Sequence, residues 1–355
     1  MKKFLKWSGL AILALIAVLA VVIAIPVAPT IERIQPRETT QYWQMESGYR
    51  LAYTHVPAAG VERSNPPIIF LHGGPGGYIH SSYIERAQTL AAEGYDVYLY
   101  DQIGSGLSDR LPRPKDYSFQ GHARDLDEII SRHLSADNAI LIGQSYGGML
   151  VSYYTAMHPD RVHRAILTSP GDIEPGLFDE AGNWINAELY PVPDGIEFRA
   201  PLDRSDEMGI SSWPTRAVAS IALAMTFDTK LMDDEEADSV LNTVATQITS
   251  GMVCDPANVL PEEGGGGFYS HGHSNWFAGV DNWREELQQA DVPLLVLQGQ
   301  CDYIPYAASY EHAAIAPQGR YEFIEGAGHI IWWDEPDAWT EAVLGFLAEP
   351  HPTSD

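Results

Sequence analysis

The chain has 355 residues, 45% of them hydrophobic and 19% charged, a balance that suits a globular protein with a large core and excludes a disordered one. Forty-eight Asp and Glu against 21 Lys and Arg leave a net charge of −27, which repels phosphate backbones and excludes nucleic acid as an expected partner. No segment repeats along the sequence, which excludes a solenoid.

The amino end stands apart. "MKKFLKWSG" is basic, and Leu10 to Ala28 carries no charge. About 20 apolar residues suffice to span a bilayer, whereas a cleavable signal has an apolar core of about 7–15. Pro26 and Pro29 also sit where cleavage would fall. Residues 1–30 are therefore expected to form an uncleaved membrane anchor. Lys2, Lys3 and Lys6 would hold its start in the cytoplasm and leave the rest of the chain outside. A cleaved signal followed by secretion is the alternative.

Strand patterns follow. "TTQYWQME" and "RLAYTHV" (50–56) come first, the second alternating in the manner of a half-buried strand. Short continuous apolar runs come next at 66–74, 95–101, 138–143, 164–169, 293–299 and 320–326, and such runs suit strands buried on both faces of a parallel sheet. Helical patterns at 120–134 and 146–159 lie between them. Strand alternating with helix predicts a doubly wound α/β core from residues 31–170 and 291–355. Over 171–290 the strand signals stop and helical stretches at 214–227 and 234–249 take over, which predicts a mostly helical cap inserted into that core.

Gly143-Gln144-Ser145-Tyr146-Gly147 lies between a strand and a helix, the context in which G-x-S-x-G forms a sharp turn that lifts its serine above the sheet. Glycines on both sides leave room for the strand and helix to approach closely. A serine nucleophile needs a base, and the base an orienting acid, in the chain order serine, acid, histidine. Asp302 in "QGQCDYIP" and His329 in "GAGHII" each lie just past a strand and supply that order. An oxyanion hole is expected from the backbone N–H groups of Gly74, in "LHGGPGG", and of Tyr146, directly after the nucleophile.

Other polar clusters offer less. His271 and His273 lie in a glycine-rich loop without a cysteine cluster, so neither a metal nor any other cofactor is expected. Cys254 and Cys301 are compatible with one disulfide or with two separate buried thiols. Trp213, Trp276 and Trp283 fall in or near the cap and suit either a pocket lining or ordinary packing.

"HGGPGG", "DQIGSGLSD" (101–109), "GQSYGG", "CDYIP" and "GAGH" resemble the α/β-hydrolase superfamily, and the HGGPG form with DQxGxGxS is similar to the proline iminopeptidase family of serine aminopeptidases. The likeness covers about residues 66–170 and 292–348. It implies an α/β-hydrolase fold and release of an amino-terminal residue, often proline, through an acyl-enzyme. It also implies Ser145, Asp302 and His329 as triad, Gly74 and Tyr146 as oxyanion donors, and cap glutamates that bind the substrate amine. Glu174, Glu188, Glu197 and Glu207 are the cap candidates for that task. The chain departs from the family pattern in carrying Tyr146 where tryptophan is usual and Gln144 where glycine is usual. The expected substrate is a small peptide. An esterase, lactonase or amidase acting on a small acyl compound is the alternative, and a non-catalytic binding module the remoter one.

Overall fold

The computed structural model describes residues 17, 20–60, 65–174, 188–199, 213–271 and 279–351. Its centre is an eight-stranded sheet: β1 (Thr40–Gln44), β2 (Arg50–Val56), β3 (Ile68–Leu71), β4 (Val97–Tyr100), β5 (Ala139–Gln144), β6 (Val162–Thr168), β7 (Leu294–Gly299) and β8 (Gly319–Ile324). The spatial order is β1-β2-β4-β3-β5-β6-β7-β8. β1 and β2 pair antiparallel, β2 runs antiparallel to β4, and all pairs from β4 onward are parallel.

The unbroken apolar runs follow from burial on both faces. Successive side chains of a strand point to opposite sides. Ile69, Leu71, Leu141 and Leu167 accordingly pack on one face with α2 (Phe119–Glu128) and α3 (Tyr146–Met157). Ile68, Phe70, Ile142 and Ile166 pack on the other with α1 (Ser81–Ala92) and α7 (Pro336–Leu347), where Trp339 is fully buried. The chain is thus doubly wound, with its parallel strands all ending at the same edge.

Two local details differ from the sequence pattern. The helix expected over 120–134 is regular only to Glu128 and continues as a π-turn over Ile129–His133, closed by Leu134 N–H donating to Ile129 O at 2.9 Å. The wider turn lets Ile129 and Ile130 both reach the core, where both are fully buried. The second detail concerns the amino end. Among the described residues no helix is long and apolar enough to cross a membrane. Most of the segment expected to be an anchor, with Lys2, Lys3 and Lys6, lies outside those residues. Its described end lies against the helices between β6 and β7. Val27 N–H donates to Glu236 Oε1 at 2.7 Å, Thr30 N–H to Ser239 Oγ at 3.1 Å, and Arg216 to Ile23 O.

Between β6 and β7 the described residues hold helices and no strand, chiefly α4 (Thr215–Phe227) and α5 (Asp234–Ile248). Asp233 caps α5 by accepting from Glu236 N–H, and Asp234, Glu235 and Glu236 fill the first turn, where the helix dipole favours negative charge. After β7 come α6 (Tyr306–Ile315) and, past β8, α7.

The approach of β5 and α3 depends on glycine. A Cβ built on Gly143 would stand 2.2 Å from Gly147 O, and one on Gly147 would stand 2.3 Å from Leu71 O. Both neighbours are backbone and cannot yield cheaply. Gly143→Ala is therefore expected to lower stability by about 1–3 kcal/mol or more, as overpacking does, and denaturant unfolding checks it.

Candidate active site

Ser145 follows β5 directly, with φ 54° and ψ −118°, a strained conformation for a residue with a side chain. The elbow is held from both ends: Ser145 N–H donates to Thr168 O at 2.8 Å, and Met149 N–H donates to Ser145 O at 3.1 Å. Asp302 lies just past β7, and His329 just past β8, so all three groups stand at the carboxyl edge of the sheet, where open α/β sheets place ligands.

Asp302 and His329 are both buried, at 5% and 2% exposure. His329 Nδ1 lies 2.7 Å from Asp302 Oδ1, which also accepts Ile304 N–H at 3.0 Å. The carboxylate therefore fixes the ring so that Nε2 faces the site. The two loops can close together because Gly299 has no side chain; a Cβ there would stand 2.3 Å from Gly328 O. Asp334 then ties the histidine loop to the insertion. Its Oδ2 accepts Gly328 N–H at 2.8 Å and Cys254 N–H at 2.7 Å, and its Oδ1 accepts from Asn258 Nδ2 at 2.9 Å.

Cys254 and Cys301 form a disulfide, with Cα atoms 5.2 Å apart, which resolves the alternative left open by the sequence. It joins the insertion to the residue preceding Asp302 across 47 positions of chain, a closure that chain-entropy arguments value at about 4 kcal/mol. Dithiothreitol should lower the melting temperature of the wild type. The Cys254→Ser/Cys301→Ser double variant should melt at a lower temperature regardless of reductant.

Gly74 has φ +132° and precedes a cis Gly74–Pro75 peptide bond. The glycine loop it belongs to lines a cavity together with Ser145. Tyr146 opens α3, so its N–H points out of the helix end beside Ser145. Its side chain turns the other way and is buried, with the hydroxyl 3.1 Å from His122 Nδ1.

The cavity holds about 230 Å³. One wall is the glycine loop with Tyr78, Tyr83 and Gln144; the other is apolar and comes from the insertion, including Trp213, Leu241, Val244 and Ile248. Ser145, His329 and Tyr303 form its floor. Glu262 is the one carboxylate among the described residues that line it. Its Oε1 accepts the Tyr78 hydroxyl at 2.6 Å and Gly264 N–H at 2.9 Å. Burial, then the Glu262 charge, push the Tyr78 phenol well above its ordinary range, so it remains a donor.

Of the glutamates singled out from the sequence, those described lie elsewhere. Glu174 pairs with Arg284, Glu188 and Glu197 do not line the cavity, and Glu207 lies outside the described residues. Trp213 lines the cavity, Trp283 is core packing that donates to Ser152 Oγ at 2.9 Å, and Trp276 lies outside the described residues. His271 Nδ1 is 2.7 Å from Pro75 O, and His273 lies outside the described residues.

Known proteins fit this geometry. The model of the alpha/beta hydrolase fold matches residues 66–194. A proline iminopeptidase of Lactobacillus helveticus is 27% identical over 315 residues, covering 84% of this chain and 95% of the relative. One of Saccharolobus solfataricus is 24% identical over 309 residues, covering 85% and 92%. An esterase structure from Exiguobacterium antarcticum superposes with a TM-score of 0.61 at 18% identity, over 87% of this chain and 99% of that one. The chain has the α/β-hydrolase fold and resembles the prolyl aminopeptidases.

Proposed function

We propose that the protein is a serine hydrolase that cleaves an acyl bond through an acyl-enzyme, and that its substrate presents a free amino-terminal amine, as in an aminopeptidase releasing proline or a similar residue. The observation that carries the second half is Glu262, the single carboxylate among the described residues that line the mostly apolar cavity holding Ser145. A cationic amine bound there gains a charge-assisted contact in a setting poor in water, and the contact also fixes which carbonyl reaches Ser145. An apolar wall beside it suits a compact apolar side chain.

In this reading Ser145 Oγ attacks the scissile carbonyl carbon, and His329 takes its proton. The carbonyl π pair moves to oxygen and is held by the N–H groups of Gly74 and Tyr146. Collapse breaks the C–N bond as His329 returns the proton to the leaving nitrogen. Water, deprotonated by His329, then releases the acyl group from Ser145. Asp302 keeps the imidazole in the required tautomer and stabilises its cation. The region 171–290 acts as a cap that supplies the amine site, and the Cys254–Cys301 bridge favours an oxidising compartment as the place of work.

Asp302→Asn is expected to lower kcat by about 10⁴-fold with an unchanged circular dichroism spectrum, because the amide supports the wrong tautomer of His329. Near-normal turnover would assign the orienting role to another group. A panel of amino-acid arylamides against short acyl esters tests the substrate class: the free-amine arylamides should be preferred.

A further inference from the structure

Pro261-Glu262-Glu263 sets two glutamates side by side, and the structure sends them to different partners. Glu262 lines the cavity. Glu263 does not; its Oε2 meets Arg37 Nη2 at 2.6 Å. We propose that Arg37 and Glu263 are positioning residues that lock the Glu262 carboxylate to the segment directly after the glycine loop, and that this lock makes the site selective for an amine beside the scissile carbonyl. The proposal rests on the reading of Glu262 as the amine site.

Three observations carry it. The first is how closely two segments are joined. Both carboxylate oxygens of Glu263 lie 3.2 Å from Ser81 N, whose N–H opens α1, where the helix dipole favours negative charge. Arg37 also donates to Ile79 O at 3.3 Å, and Ile79 N–H donates to Asp101 Oδ1 at 2.8 Å. The Tyr78 hydroxyl accepts Glu263 N–H at 2.9 Å while it donates to Glu262 Oε1 at 2.6 Å. His80 Nε2 lies 3.0 Å from Pro261 O. Residues 78–81 and 261–264 are thereby one unit, and Tyr78 directly follows the glycines at 73–77.

The second is charge. Adjacent carboxylates repel each other. Arg37 neutralises Glu263 and leaves the Glu262 charge to face the cavity. The side chains of the pair are only 27% and 25% exposed, so water screens them less than it screens a surface pair.

The third is the path by which Arg37 arrives. It ends the amino-terminal segment that lies along α5 through Val27 and Thr30. Further along, Ile34 N–H donates to Gly264 O at 3.0 Å. Gly264 holds φ +81°, and a Cβ on it would strike Glu32 O; a Cβ on Gly265 would strike the Tyr78 ring. The glycines after Glu263 thus let the amino-terminal segment close on the loop from one side and Tyr78 from the other.

An α-amine stands one carbon from its scissile carbonyl, so a carboxylate that recognises it must keep a fixed place relative to Ser145.

The test uses Glu263→Gln, Arg37→Met and Arg37→Lys in the full chain, with folding checked by circular dichroism and melting. kcat and KM are measured on Pro-arylamide and on p-nitrophenyl acetate. In Glu263→Gln and Arg37→Met the loss of kcat/KM on the amide should exceed the loss on the ester by about 10-fold, inside the roughly 10²-fold that about 1 Å of misplacement costs. Arg37→Lys, which keeps the charge, should recover most of that difference. In a Glu262→Gln background either substitution should add no more than about twofold on the amide, because no carboxylate remains to be placed. Should Glu263→Gln fail to fold, the two Arg37 variants give the same comparison. Equal losses on amide and ester, or an undiminished further loss in the Glu262→Gln background, would overturn the positioning role and leave the amine site standing. A Glu262→Gln variant that loses amide and ester activity alike would overturn the amine site and the positioning role together.

Discussion

Ser145→Ala should lower kcat by about 10⁴- to 10⁶-fold, the range expected when a nucleophile is deleted from a cooperating triad. The residual rate would come from the oxyanion donors and the cavity, which do not depend on the serine side chain. The substitution should not harm folding through lost contacts, because it removes one hydroxyl. Ser145 also holds φ 54° in the native state, and alanine faces the same backbone strain there, so no relief is expected. A fluorophosphonate probe should label the wild type and leave Ser145→Ala unlabelled. Labelling of the variant at another residue would remove Ser145 from the nucleophile's role.

Glu262→Gln should lower kcat/KM toward Pro- and Ala-arylamides by about 10- to 150-fold, which corresponds to the roughly 1.5–3 kcal/mol of a hydrogen bond to a charged group. Glutamine keeps an oxygen that can accept from Tyr78 and from Gly264 N–H, so the local packing should survive. The same variant should act on a plain acyl ester at close to the wild-type rate, because that substrate brings no cation. N-acetylation of the arylamide removes the charge from the other side. It should cost the wild type at least as much as Glu262→Gln does, and combining the two changes should cost far less than their sum. Equal loss on charged and uncharged substrates would mean that Glu262 shapes the cavity through packing alone, and preference for the plain ester would replace the aminopeptidase reading with a general acyl hydrolase.

The parts of this molecule legible in the sequence are those fixed by local pattern. Ile68–Leu71 is buried on both faces and reads as an unbroken apolar run; Ser145 carries its own punctuation, because the turn around it excludes side chains at Gly143 and Gly147. Asp302 and His329 stand out in the sequence by chain order and by their positions after strands, and the structure brings them within 2.7 Å of each other. Glu262 was missed. In a chain with 48 acidic residues one carboxylate has no distinguishing mark, and the glycine run after it, at 264–267, was its only local signal. Tyr303 was missed for a different reason. It adjoins Asp302 in sequence, but its hydroxyl lies 3.1 Å from His329 Nε2 because the loop after β7 turns back over the loop after β8. The Cys254–Cys301 bridge and the Asp334 contacts are likewise products of the insertion folding onto the core, across separations that no local pattern reports.

The most direct measurement is mass spectrometry of the intact enzyme quenched in acid during turnover of Pro-arylamide, followed by peptide mapping. An adduct with the mass of one prolyl group is expected on the peptide containing Ser145. It should be absent in Ser145→Ala and strongly reduced in Glu262→Gln under the same conditions. Turnover without any adduct on wild type, under conditions where a labelled Ser145 ester survives the quench, or an adduct carried by a different residue, would contradict the acyl-enzyme at Ser145.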